Sequence, residues 1–390
     1  MKSKQLAIVG VIAVAVILVV AVAYYMDDDR EDRDIDGTWV VVDSYGYDTT
    51  GVLKSYSHEV VGGLVIEGHS GNQFYGSYSG IDITGSFNDS DIYFEYRTSD
   101  STNAMFVGSF VNDTLYLNEF YNSPTESVAC HSILTRGGDV PAALEAPDMP
   151  KTVMKASYAR NVNVEGTLTD LLGSDPQYLH IEKQDKMVFY GTMDQIIGGV
   201  LMNLSIVGAV SPYNGGDIIL ASVIDTVGNW WDLRMTSEWV LMNLSEAEGE
   251  ATAVQRTYFS GEVDYSILPE LPDIENTVWR SVVYNEMDVD GNVDNDAVSR
   301  IIMADFDYET AKVTWEINGR TVPMVMNIYQ YGGGFTISEC YQWENFNLGG
   351  GIGYLNQDRT EMVICMTFYD DDGDGRLHSV YAVYELETSA

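Results

Sequence analysis

The stretch GLVIEGHSGNQFYGSYSGIDITGSFNDSDIYFEYRT, Gly63 to Thr98, decides the fold class. Short runs rich in Val, Ile, Tyr and Phe are broken every ~8–12 residues by Gly, Asn, Asp or Ser, the rhythm of antiparallel strands joined by tight turns. No apolar stripe of helical period runs through it. The same texture returns in KMVFYGTMD, DIILASVID and WDLRMTSEWVLMNLS, and again in KVTWEINGRTVPMVMNIYQY and EMVICMTFYDDDGDGRLHSVYAVYEL. Such strands meander and close into barrels or pack as sandwiches, so the expected fold is all-β.

Five of the nine prolines fall in two short stretches, DVPAALEAPDMP (139–150) and LPELPD (268–273), with the composition of stiff linkers. They divide the chain into expected β domains at 35–138, 151–267 and 274–388. The three pieces read as diverged copies of one unit. DGTWVVVDSY and NTVWRSVVYNE each place a Trp at the head of a Val-rich strand. NQFYGSYSG, KMVFYGTMD and AKVTWEING mark the middle of each piece, and CHSILTRG, VQRTYFSG and VYAVYELE its end.

Gly37-Thr38-Trp39, opening an all-β meander of about a hundred residues, resembles the start of lipocalin-like and avidin-like barrels. The resemblance implies an up-and-down barrel whose Trp plugs one end and whose other end is open to a small ligand. It implies no binding residues.

At the amino end, LAIVGVIAVAVILVVAVAYYM carries no charge for 21 residues, Leu6 to Met26. At ~1.5 Å per residue it spans a ~30 Å hydrocarbon layer. Lys2 and Lys4 precede it and DDDRED follows, so the positive-inside rule makes residues 1–5 a cytoplasmic stub, 6–26 a signal anchor and 27–34 an acidic juxtamembrane linker. Everything beyond is expected outside the cell membrane. Cleavage after Ala23, which would release a secreted protein, is the rival reading. The formal charge of −39, from 59 acids against 20 Lys and Arg, repels phosphate backbones and excludes nucleic acid as a partner.

Two acidic stretches are candidate metal loops, with calcium the cation they would take. In YDDDGDGRLHSV, Asp370, Asp372, Asp374 and Gly375 match the opening of a helix-loop-helix calcium loop, but the closing position is Tyr381 and both flanks read as strands. This makes it a hairpin tip that needs a ligand from elsewhere, or simply a turn. MDVDGNVDND presents Asp288, Asp290, Asn292, Asp294 and Asp296 at alternate positions, and the two loops would share a site.

Export gives meaning to the glycosylation sequons at Asn88, Asn112, Asn203 and Asn243. Asn88 and Asn112 lie in turn-like settings, whereas Asn203 sits inside the apolar run GGVLMNLSIVGAV, where burial is expected. Of three cysteines, only Cys340 and Cys365 share a domain and are candidates for a disulfide. The five histidines lack zinc spacing, and no nucleophile-base motif appears, so no enzyme is expected. The sequence therefore predicts a membrane-anchored surface protein. Its barrels would bind a small apolar ligand or glycan; the alternatives are a structural or adhesive envelope component and, more remotely, an extracellular hydrolase.

Overall fold

The computed structural model describes residues 34–387 apart from 56–62, 88–90, 99–101, 142–143, 150, 152, 164–167, 198, 212–218, 237–238, 249–250, 261–273, 296–297, 308–309, 318, 332–333, 343–350, 357 and 370–374. The expected membrane segment 6–26 lies outside the described residues. Among those described none is helical, and no helix is long and apolar enough to cross a membrane.

The chain folds as three successive β sheets with one topology. The first contains β1 (Gly37–Asp48), β2 (Leu53–Ser55), β3 (Leu64–Ser70), β4 (Gln73–Tyr78), β5 (Ile81–Phe87), β6 (Asp91–Arg97), β7 (Asn103–Val111), β8 (Thr114–Asn122) and β9 (Ser127–Thr135). The second contains β10 (Met154–Asn163), β11 (Leu168–Asp170), β12 (Tyr178–Asp185), β13 (Val188–Ile197), β14 (Val200–Val210), β15 (Ile219–Asp225), β16 (Trp230–Met235), β17 (Trp239–Glu248) and β18 (Ala251–Ser260). The third contains β19 (Val278–Asp288), β20 (Val293–Asp294), β21 (Ser299–Asp307), β22 (Thr310–Ile317), β23 (Arg320–Tyr331), β24 (Gly334–Gln342), β25 (Gly351–Leu355), β26 (Glu361–Tyr369) and β27 (Leu377–Leu386). In each sheet the long strands meander in chain order, and the first pairs with the last: β1 with β9, β10 with β18, β19 with β27. That closure makes an eight-stranded antiparallel ring, with the short second strand hanging from the end of the first. Closure leaves no long strand of a ring as an edge strand along its whole length, which limits the edges that invite aggregation.

The repeat is visible in the irregularities as well as in the strand order. Each opening strand shifts register two residues after its end-plug position, at Val41/Asp43, Ala156/Tyr158 and Ser281/Val283. Each following hairpin shifts at Ile66/Gly68, Ile181/Lys183 and Met303/Asp305. These bulges place Trp39, Met154 and Trp279 at one equivalent position, so a methionine stands in the second barrel where the other two have Trp. They also align Gly76 with Gly191 and with Val313, not with the glycine of WEING. At the first two, a Cβ would stand 2.0 Å from the Val65 carbonyl oxygen and 2.3 Å from that of His180, so the bulged backbone can approach only a glycine.

Among the described residues, each ring packs its own side chains inward, as the narrow bore of an eight-stranded barrel favours. In the first, Phe94 and Phe106 stack at 4.4 Å, with Tyr78 4.7 Å from Phe106. Trp39 closes one end, 5.6 Å from Phe110 and under the Arg136 guanidinium at 4.9 Å. The second closes around Phe189, Trp231, Met235 and Met242, the third around Trp279, Trp315, Met366 and Tyr384.

The first barrel is the hub. The outer faces of β1, β8 and β9 press Tyr45, Tyr47, Phe120 and Ala129 onto Val188, Val207, Ala209 and Ile224 of the second barrel. On another flank, Gln73 Nε2 donates to the Ser379 carbonyl at 2.8 Å, and the Thr84 and Ser379 hydroxyls meet at 2.8 Å. Consequently β9 is buried along its whole length, on both faces. The second and third barrels touch through β17 and β18 against β23 and β24.

Candidate functional site

Residues 287–294 of the acidic stretch MDVDGNVDND form the β19–β20 hairpin at one end of the third barrel, and Asp296 lies outside the described residues. Asp288 Oδ1 accepts the backbone N–H groups of Asp290 (3.0 Å) and Asn292 (2.8 Å), while Oδ2 accepts Asn292 Nδ2 at 2.8 Å. Gly291 takes φ +78°, a backbone conformation that side chains disfavour. Burial opposes ionisation of Asp288, but the donors of Asn292 and Asp290 outweigh it and hold the carboxyl below its ordinary range.

The same turn occurs twice more. Asp48 Oδ1 receives Thr50 N (2.9 Å) and Val52 N (3.1 Å), with Gly51 at φ +73°. Asp225 Oδ1 receives Val227 N (2.9 Å) and Asn229 N (3.0 Å), with Gly228 at φ +93°. In all three, an Asp side chain replaces the missing backbone acceptor of an Asp-x-x-Gly-x turn. Thus Asp288 spends its oxygens on its own hairpin, and Asp290 pairs with Arg376. Asp294 is exposed, opposite Glu286.

Asp370, Asp372 and Asp374 lie outside the described residues. The strand ends that bracket them, Tyr369 and Leu377, are paired with each other, and Asp288 is paired with the adjacent His378. Tyr369 and Leu377 therefore lie at the same barrel end as Asp288. Beside them, His378 Nδ1 lies 2.9 Å from Glu286 Oε1, and its ring stacks on Phe368 at 5.4 Å. These two residues escaped the sequence reading because cross-strand register, invisible in the sequence, brings them together. Among the described residues, no three His, Cys, Asp or Glu side chains gather as a metal-binding group.

A second polar group sits inside the first barrel. Glu119 is 1% exposed and accepts from the Tyr121 hydroxyl through Oε2. The buried Tyr78 and Ser132 hydroxyls also act on its carboxyl. Burial raises the Glu119 carboxyl above its ordinary range, offset only in part by the Ser132, Tyr121 and Tyr78 hydroxyls. This residue was legible: in LYLNEFY the inward positions are Leu115, Leu117, Glu119 and Tyr121, an acid on an apolar face.

The remaining predicted sites separate cleanly. Asn112 is exposed at the tip of the β7–β8 hairpin with φ +56°. Asn203 is exposed on β14, contrary to the burial expected from its apolar surroundings, because its hairpin runs past the neighbouring strands; its Nδ2 donates to Asp194 Oδ1 at 2.8 Å. The Asn243 backbone lies within β17, and Asn88 falls outside the described residues. The expected Cys340–Cys365 disulfide is not made. Cys365 is a free thiol on β26, pushed up to about 12 by burial, and β25 runs between it and the strand of Cys340. Two strand spacings are roughly 9–10 Å, beyond the reach of a disulfide.

No protein-family model matches the chain, and no curated protein matches it. Among solved structures it is similar to transferrin binding protein B of serogroup B Neisseria meningitidis, at 11% identity over 83% of this chain and 63% of that one, with a TM-score of 0.22. A mutant of transferrin binding protein B from Haemophilus parasuis aligns at 10% identity over 92% of this chain and 77% of that one, with a TM-score of 0.22. A protein of unknown function from Nostoc punctiforme aligns at 12% identity over 60% of this chain and 94% of that one, with a TM-score of 0.25. The chain thus spans less than two thirds of the Neisseria protein. Likenesses this distant carry no argument about function.

Proposed function

We propose that the chain is a membrane-tethered, extracytoplasmic scaffold of the cell surface, structural or adhesive, which engages its partner through the outside of three fused barrels. The observation that carries this reading is the packing of the barrels: among the described residues, stacked rings in the first and tryptophan-centred apolar cores in the second and third stand where an apolar ligand would lie. The uncharged run Leu6–Met26, with lysines before it and acids after it, supports the tether and the orientation. The charge of −39 supports an exterior that stays soluble. Calcium and catalysis form no part of the reading.

Titration of the full chain with a neutral apolar fluorophore tests it. No saturable uptake is expected. A stoichiometric site that quenches tryptophan would restore a small apolar ligand. A second reading, a small hydrogen-bonding ligand in the first barrel, is favoured by one observation, the Glu119 carboxyl buried in the barrel interior among the Tyr78, Tyr121 and Ser132 hydroxyls. Its sign would be a ligand whose binding is lost in Glu119→Leu.

A further inference from the structure

β13 and β14 pair residue by residue from Val188↔Ala209 to Ile197↔Val200. Their neighbours stop short: β12 accompanies β13 only as far as Met193, and β15 joins β14 only from Ile206 onward. Asp194–Ile197 and Val200–Leu204 therefore form a two-stranded arm whose outer edges pair with no strand among the described residues. The arm is apolar where it should be polar, with Val200 62%, Met202 40% and Leu201 37% exposed.

Charge identifies the occupant. From Gln195 to Ser205 the arm has no ionisable side chain, in a chain with 59 acids. Asp194 at its base is held by Asn203 Nδ2 at 2.8 Å and Tyr178 N at 3.1 Å. A basic partner would gain nothing here, since the rest of the surface offers it carboxylates. Two copies of this chain repel wherever acids face acids, and the arm is a place where they can meet without that penalty. An antiparallel edge is also its own complement under a twofold axis.

We propose that the β14 edge, Val200–Leu204, pairs with the same edge of a second copy of this chain, joining two arms into one four-stranded sheet. This names the partner of the outward-acting scaffold and so rests on that reading. The contact is apolar and made between like-charged bodies, so it strengthens as salt screens their repulsion.

Disulfide trapping on the full chain in its native membrane tests the proposal. Across an antiparallel dyad, facing Cα atoms lie roughly 4.5–5.5 Å apart, within disulfide reach. The single variants Leu201→Cys, Met202→Cys and Asn203→Cys are compared with Thr125→Cys at the exposed β8–β9 turn, against the wild-type background. Expected is covalent dimer at one or two arm positions, at least about tenfold above Thr125→Cys. It should rise with salt and fall when Leu201→Lys is added to Met202→Cys. Trapping no greater than the Thr125→Cys control, equal trapping at all four sites, or trapping that high salt abolishes would each overturn it. The fluorophore titration is read separately, so uptake there removes the scaffold reading and leaves the arm's pairing to its own result.

Discussion

Glu119 on β8 and His131 on the adjacent β9 belong to the same hub barrel, one facing in and one facing out, and they give its stability opposite pH dependences. The Glu119 carboxyl is raised above its unfolded value of 4.5, so its contribution is fully present below that value and is lost as pH rises through the folded value. Glu119→Gln keeps an acceptor for Tyr121 without the ionisable group. It is expected to match the wild type in urea melts near about pH 4 and to exceed it near about pH 8. His131 is pushed down to about 3 by burial, aided by Lys186, and its Nδ1 lies 2.7 Å from Asn118 Oδ1. Its contribution is full above 6.5 and is lost as pH falls toward about 3. The slope approaches ~1.4 kcal/mol per pH unit for one proton. A neutral replacement, His131→Asn, should flatten that acid limb; an unchanged limb would show that the imidazole is not its source.

At the scale of the element, the Asp-x-x-Gly-x turn gives Asp48, Asp225 and Asp288 one structural role, accepting the amides of their own hairpins. Asp48→Ala would leave two amide donors without their acceptor and also remove the Lys54 ion pair at 3.0 Å. The expected cost is ~1–3 kcal/mol in urea unfolding, with Asp48→Asn recovering part of it through the retained acceptor. Calcium at millimolar concentration should leave the melting temperature of the full chain unchanged and give no binding heat, because Asp288 already satisfies its own hairpin. A saturable heat lost in Asp288→Ala would reverse that reading. Turns also separate the sequons. Peptide mass spectrometry of material from a glycosylating host should find glycan at the exposed Asn112 and not at Asn203, whose amide is held by Asp194.

Over the whole molecule, the barrels are not beads on a string. Phe120 is fully buried on the outer face of β8, against the second barrel, so it belongs to no barrel interior. Phe120→Ala should cost ~3–5 kcal/mol and lower the unfolding of the first and second barrels together. Separate transitions, with only one of them shifted, would show that the contact does not couple them.

Alternating apolar residues, turn residues at regular intervals and two proline clusters determined the all-β class and the threefold organisation, because strand period and turn chemistry are local properties of a chain. The Trp39 and Trp279 strands were legible for the same reason. Met154 was not, since a methionine fills a barrel end without announcing it, and only the bulge repeated at the same place in all three opening strands reveals it. Register decided the rest. It set β25 between Cys340 and Cys365, brought His378 to Glu286 and Asp288, carried Asn203 beyond its neighbours into solvent, and hid both faces of β9. Each depends on which distant residues lie across from one another, and closure of a sheet, not any local signal, fixes that choice.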